Sequence, residues 1–145
     1  MRKPIVVICD LDGTLAIHDG RRPYEYEKCD TDLVNEPVLA VLEGLLLRDV
    51  FLQVIFVSGR EDSAREKTEH WLWERCSFAR PTLFMRKSGD GRRDVIVKEE
   101  IYREHIEPNY QVFLVLDDRN SAKNPVVAMW RNLGLTCFQV APGNF

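Results

Sequence analysis

Short apolar, β-branched runs alternate with helix-like stretches along the whole chain, and this alternation constrains the fold more than any other feature of the sequence. "PIVVICD", "FLQVIFV", "TLFMR", "QVFLVL" and "LTCFQV" read as five strands. After the first strand and a polar loop, Val38, Leu39, Val41, Leu42, Leu45 and Leu46 recur at helical spacing, with Thr31 or Asp32 as the cap and Pro37 in the first turn. "EDSAREKTEHWLWERC" reads as a helix with its acids first, as the macrodipole prefers. "VIVKEEIYREHI" carries a Glu99–Arg103 pair at helical spacing, and "VVAMWRNLG" puts Val126, Met129, Trp130 and Leu133 on one face before Gly134. Such alternation predicts an α/β, Rossmann-like three-layer sandwich, with a central, mostly parallel five-stranded sheet and right-handed crossovers.

At 145 residues without a linker or internal repeat, the expectation is one domain over residues 1–145. A chain of this size buries roughly two-thirds of its unfolded surface. The net charge of −3 gives no global attraction to nucleic acid or anionic membrane, so a polyanion must be held by a local cluster of Arg and Lys. No apolar run approaches the ~20 residues of a membrane helix, and no signal-peptide pattern opens the chain. Cys9, Cys29, Cys76 and Cys137 lack zinc spacing and read as reduced thiols of a cytoplasmic protein rather than as a disulfide staple.

Ligands of open α/β sheets bind outside the carboxyl ends of the strands. The first strand ends in Asp10-Leu11-Asp12-Gly13-Thr14, the second in Ser58-Gly59-Arg60 and the fourth in Asp117-Asp118-Arg119, with Lys98 on the helix before the fourth. Two like charges ~4 Å apart repel by about 4 kcal/mol at an effective dielectric of 20. That is a large share of a total stability of ~5–15 kcal/mol. A divalent cation reverses the sign, and all-oxygen donors suit Mg²⁺, which is commonly shared with a substrate phosphate. A carboxylate fixed at a strand end can attack phosphorus to give an aspartyl-phosphate, and an acid two residues later can protonate the leaving oxygen and then deprotonate water. Ser58, the N–H groups of the Gly59-Arg60 turn and Lys98 would hold the phosphoryl oxygens.

Each piece has a plainer explanation. Asp-Gly is a common turn, Ser-Gly suits a strand-to-helix connection, an acidic doublet can cap a helix, and a lysine is ordinarily solvated. Their order at successive strand ends favours catalysis. His18, His70 and His105 show no ligand spacing and receive no chemistry. Trp71, Trp73 and Trp130 read as packing residues, and "GDGRRD" is either a solvated loop or a substrate contact.

At these residues the chain resembles the haloacid-dehalogenase-like (HAD-like) phosphohydrolases, through "DLDGTL", "VSGR", Lys98 and "LDD" in order. "GRRPYEYEKCDTD", "RRDVIVKEEIYREHIEPNY" and "MWRNLGLTCFQVAPGNF" extend the likeness to the 3′-phosphatase domain of bacteriophage-type polynucleotide kinase-phosphatase over nearly the whole chain. The resemblance implies Asp10 as nucleophile and Asp12 as general acid–base. Arg21, Ser58, Arg60, Arg86 and Lys98 would handle the phosphate or the nucleic-acid terminus. Mg²⁺ would lie on Asp10, the Asp12 backbone carbonyl, Asp117 and Asp118, with Asp118 the closer of the doublet. Little or no cap is expected, since only residues 16–36 separate the first motif from the first long helix. The chain departs from the family in two respects. No G-x-x-x-x-G-K-[ST] is present, so this chain cannot phosphorylate 5′ ends by itself; a kinase or ligase partner in end repair is expected, and Met1 favours a free-standing phosphatase over an excerpt. "NSAKNP" after Asp118-Arg119 is also longer than the family leads one to expect.

Three functions follow from this reading. The first is a Mg²⁺-dependent 3′-phosphatase acting on 3′-phosphorylated DNA or RNA ends. The second is a small-molecule phosphatase such as a nucleotidase, which an open site disfavours. The third is a receiver-like phospho-acceptor, which Asp12 disfavours because a neighbouring base hastens hydrolysis of the acyl phosphate.

Overall fold

A computed structural model describes residues 2–145. Five strands, β1 (Ile5–Cys9), β4 (Gln53–Glu61), β5 (Thr82–Arg86), β6 (Gln111–Asp117) and β7 (Cys137–Gln139), form one sheet in the order β5-β4-β1-β6-β7. Every pairing in it is parallel. Two further strands of two residues each, β2 (Ala16–Ile17) and β3 (Leu33–Val34), pair antiparallel beside it.

The period of two along β1 divides the core. Val7 and Cys9 face one layer, where α1 (Glu36–Arg48) contributes Val38, Leu39 and Leu42, and α2 (Arg65–Cys76) contributes Trp71 and Leu72. Val6 and Ile8 face the other, against Val97 and Ile101 of α3 (Asp94–Ile101) and Met129 and Trp130 of α4 (Val126–Asn132). A strand buried on both faces has no use for alternating polarity, which is why the run "IVVIC" is uniformly apolar. Full burial of each such side chain contributes roughly 1.5–3 kcal/mol. The three-layer architecture predicted from the alternation is therefore present, and Gly134 follows the last helix as expected.

Four local readings need correction. β4 does not stop at Val57; it continues through Ser58-Gly59-Arg60 to Glu61, with an irregularity in its pairing to β5 between Ser58 and Glu61. The segment after the first motif is not a plain polar loop, because it holds β2, a 3₁₀ helix over Tyr26–Thr31 that buries Cys29, and β3. The cap of α1 is Asn35, whose carbonyl accepts from the N–H groups of Val38 and Leu39, rather than Thr31 or Asp32. Lastly, α3 passes into a π turn over Tyr102–Ile106; the expected Glu99–Arg103 pair is present at 4.0 Å, and Arg103 pairs more closely with Glu107 (2.9 Å).

All four cysteines are free and buried. Among the described residues no helix is long and apolar enough to cross a membrane. Trp71 and Trp130 are core residues as expected, whereas Trp73 is half exposed. The chain runs from β1 out to β4 and β5 and then returns to β6 and β7, so the order reverses at β1. The carboxyl ends of β1, β4 and β6 are thereby brought side by side, where the crevice of an open α/β sheet lies.

Candidate active site

Asp10 is the residue at which β1 leaves the sheet, its N–H still donating to the carbonyl of Leu116 (3.0 Å). Lys98, one α-helical turn beyond Asp94, extends into the same space and is only 1% exposed. Its Nζ donates to Asp10 Oδ1 (2.9 Å) and Asp117 Oδ2 (3.0 Å), and lies 3.7 Å from Asp94 Oδ2. Thr14 Oγ1 donates to Asp10 Oδ2 (2.9 Å) and lies 3.2 Å from Asp118 Oδ1. Asp117 is fully engaged by the protein: Trp130 Nε1 also reaches Oδ2 (3.0 Å), and Oδ1 accepts from the N–H groups of Asp118 (2.8 Å) and Arg119 (3.3 Å). Asp118 has fewer protein partners and lines the cleft, while Asp117 does not.

Carboxylate oxygens of Asp10, Asp117 and Asp118 lie within 4.8 Å of one another. Burial, followed by the charge of Asp117, pushes the Asp10 carboxyl well above the ordinary range. Burial likewise raises Asp118. Lys98 shows the opposite balance: burial disfavours its charge, but Asp10, Asp117 and Asp94 outweigh burial and hold it protonated. One ammonium facing this many acids leaves a net negative pocket of oxygen donors, which fits a hard divalent cation. Gly13, at φ +83°, closes the turn after Asp12, and a β-carbon there would overlap the Asp118 carboxylate.

A second cluster forms behind the first. Arg60 Nε and Nη2 both donate to the Asp12 carboxylate, at 2.8–3.2 Å. Arg21 Nη2 donates to Asp12 Oδ1 (2.8 Å), and His18 Nε2 lies 3.0 Å from the same oxygen. Both guanidiniums also reach Asp32, Arg21 through Nε (2.6 Å) and Nη2 (2.8 Å) and Arg60 through Nη2 (2.8 Å). Arg60 Nη1 donates to Thr68 on α2, and Trp71 Nε1 to the carbonyl of Asp32. Two arginines thus meet two aspartates, tying the segment after β1 to α2. Burial alone would raise the Asp12 carboxyl, but Arg60, His18 and Arg21 overcome it and hold Asp12 well below the usual carboxylate range.

The expected residues therefore divide into two groups. Asp10, Asp12, Gly59, Arg86, Lys98 and Asp118 line one cleft of about 380 Å³. Arg21, Arg60 and Ser58 do not line it. Arg60 is 0% exposed, so it grips Asp12 rather than a phosphate. Ser58 is equally enclosed, because β4 runs on past it, and its Oγ accepts from the Arg60 N–H (3.1 Å). The Asp12 side chain stands apart from the group of Asp10, Asp117 and Asp118, and its carboxylate lies instead with His18 and Asp32 in a second group of close ligand atoms. Arg86 keeps the cleft in shape, donating to the carbonyls of Gly59 (2.9 Å) and Asp90 (2.9 Å).

Sequence reasoning missed Asp94, Asp32 and His18. Asp94 had a signal, since it stands four residues before Lys98 on one helix face. Asp32 had none, and its short polar context resembles a cap. The close approach of α3 to β4 depends on Gly59, where a β-carbon would overlap the Asp94 carboxylate. Gly59→Ala should therefore lower stability by about 1–3 kcal/mol in urea titrations. By displacing Asp94 and Lys98 it should also reduce kcat/KM by about 10²-fold.

Comparison with known proteins agrees with this geometry. A family model for the phosphatase domain of the polynucleotide kinase PNKP matches residues 4–145. A candidate bifunctional polynucleotide kinase/RNA ligase of Autographa californica nuclear polyhedrosis virus is 31% identical over 140 residues, covering 94% of this chain and 19% of the viral protein. A chain in a structure of the Pnkp1/Rnl/Hen1 RNA repair complex superposes with a TM-score of 0.89 at 44% identity, covering 99% of this chain and 44% of that one. The class C acid phosphatase of Bacillus anthracis shares the fold, with a TM-score of 0.56 at 14% identity over 82% of this chain and 53% of its own. The chain thus spans about a fifth of the viral relative and under half of the repair-complex chain. On the match over residues 4–145, it belongs to the HAD-type phosphatase-domain family of polynucleotide kinase-phosphatases.

Proposed function

We propose that residues 1–145 constitute one Mg²⁺-dependent polynucleotide 3′-phosphatase domain, which removes the 3′-phosphate from DNA or RNA ends through an aspartyl-phosphate on Asp10. The observation that carries this reading is the buried group of Asp10, Asp117 and Asp118 around Lys98 at one end of the cleft. Asp10, Asp118 and the Asp12 carbonyl would hold Mg²⁺, with Asp117 orienting Lys98 and the backbone of the doublet. When bound, the ion would offset the charge that phosphate and carboxylates bring together.

In the first step an Asp10 oxygen attacks phosphorus, the bond from phosphorus to the 3′ oxygen breaks, and Asp12 delivers its proton to that oxygen. In the second, Asp12 takes a proton from water as the water oxygen attacks phosphorus, and the bond to Asp10 breaks to release inorganic phosphate. Lys98 stays protonated and faces the growing negative charge. The grip of Arg60 and Arg21 favours the ionised Asp12 of the second step. The acid form needed in the first is favoured when a phosphate dianion enters beside it, because a nearby like charge raises a carboxyl pKa.

Rates on matched DNA and RNA 3′-phosphates, compared with a mononucleotide 3′-phosphate and a 5′-phosphate, test the assignment. The polymer 3′ ends should turn over best. Efficient turnover of the free nucleotide with little on the polymers would establish the small-molecule reading instead. Chelation should abolish activity. Because burial, followed by the charge of Asp117, raises the Asp10 carboxyl, Mg²⁺ binding should release protons, and its affinity should fall as pH drops. Calorimetry in buffers of different ionisation enthalpy would measure this. Residues 1–145 contain no P-loop, so a kinase or ligase activity that acts with this phosphatase lies outside them, and the name of the viral relative joins both activities. The free cysteines accord with a cytoplasmic location.

A further inference from the structure

Two exposed aromatic rings line the cleft, and they are held very differently. Tyr24 is 72% exposed, and its ring meets Tyr26 edge-on at 6.3 Å. Phe145 is 51% exposed, yet its backbone is pinned. Its carbonyl accepts from Arg119 Nε (2.8 Å) and Ser121 Oγ (2.8 Å), and its N–H donates to the carbonyl of Gly143 (3.0 Å). That Gly143 carbonyl also accepts from the N–H of Asn120, so residues 143–145 are laced to the loop that follows the acidic doublet. The Arg119 guanidinium lies over the Phe145 ring, 4.6 Å from its centroid, and Arg119 Nη1 is 3.5 Å from Asp94. One face of the ring is covered by Arg119. The half that remains exposed is a flat, apolar surface lining the same cleft as Asp118.

A phenyl ring left half in water forgoes part of a burial worth roughly 1.5–3 kcal/mol, and the contact with Arg119 occupies only one of its faces. A ring already fixed loses little freedom when a ligand covers it, which distinguishes it from Tyr24. The flat partner that a nucleic-acid end offers is its terminal base, and every base has a π face. We propose that Phe145 is a specificity-determining residue whose free face stacks on the nucleobase of the 3′-terminal nucleotide, so that the end is recognised by base stacking as well as by its phosphate. The lattice of Arg119, Ser121 and Asn120 places the ring. The otherwise unexplained "NSAKNP" segment supplies two of these three anchors, the side chain of Ser121 and the N–H of Asn120.

This inference rests on the polynucleotide reading above. Its test compares two 3′-phosphorylated oligonucleotides, one with a base on the terminal nucleotide and one abasic there. Phe145→Ala should raise KM about tenfold on the first and less than about twofold on the second, while Phe145→Trp stays within about threefold of the wild type on both. With 2-aminopurine as the terminal base, binding to an Asp10→Asn background should quench its fluorescence, and adding Phe145→Ala should remove the quenching. An equal penalty on both oligonucleotides, or none on either, would overturn the stacking role. If the wild type hydrolyses neither oligonucleotide, the polynucleotide reading itself fails and takes this inference with it.

Discussion

Asp10→Asn should give a folded protein whose turnover is lower by at least about 10⁴-fold, the scale of losing a covalent nucleophile. The sign of its stability effect separates this from a structural role. The Asp10 carboxyl is raised by burial and by Asp117, so at neutral pH its ionised form works against the metal-free fold. Such a group contributes more stability below its folded pKa than above it, and a neutral amide removes the penalty. Lys98 keeps Asp117 at 3.0 Å and Asp94 at 3.7 Å. Thermal melts without metal should therefore show the variant no less stable than the wild type, and the stabilisation by Mg²⁺ should be much reduced. A variant that unfolds on losing Asp10 would instead mark the residue as structural.

Arg60→Ala has the largest expected effect on stability. This guanidinium is enclosed and donates to Asp12, Asp32 and Thr68. Removing it leaves Asp32 buried with only Arg21, and Asp12 with Arg21 and His18. Breaking a buried ion pair by deleting one partner costs about 3–5 kcal/mol. Because Asp12 is held below its ordinary pKa, the stability from these pairs is fully present above about pH 4 and declines as pH falls through the lower folded value. The deficit of Arg60→Ala measured by urea titration should therefore be greatest near neutrality and shrink in acid. Arg60→Lys should not rescue it, since a single ammonium cannot span partners on two loop segments and a helix as a planar fork does. Activity should fall as well, because Asp12 loses the group that orients it.

These two residues also show what a sequence can disclose. Asp10 was legible because an apolar strand has one carboxyl end and the fold class assigns chemistry to it. Asp117, Asp118 and Lys98 were legible for the same reason, each standing at or beside a strand of the same sheet. Arg60 was visible as a candidate, but its partner was not. "SGR" looks like a strand-to-helix turn, and only the continuation of β4 through it turns Arg60 inward. That inward environment exists because residues 12–34 fold back to bring Asp32 onto Arg60, a contact between positions 28 residues apart. No local pattern encodes such a pairing, so in the sequence Thr31 or Asp32 reads as a helix cap and His18 as idle. β2 and β3, at two residues each, are too short to show any period. Asp94 lay within reach, since its spacing from Lys98 was there to be noticed.

The most direct test of the account is the identity of the residue that carries phosphate during turnover. A 3′-phosphorylated oligonucleotide labelled at the phosphate, mixed with enzyme and Mg²⁺ and quenched in acid within a single turnover, should leave label on the peptide containing Asp10. Asp12→Asn, lacking the base that activates water, should hold that label longer. Label on Ser58 or His18, or release of phosphate with no labelled protein at any time, would contradict the account.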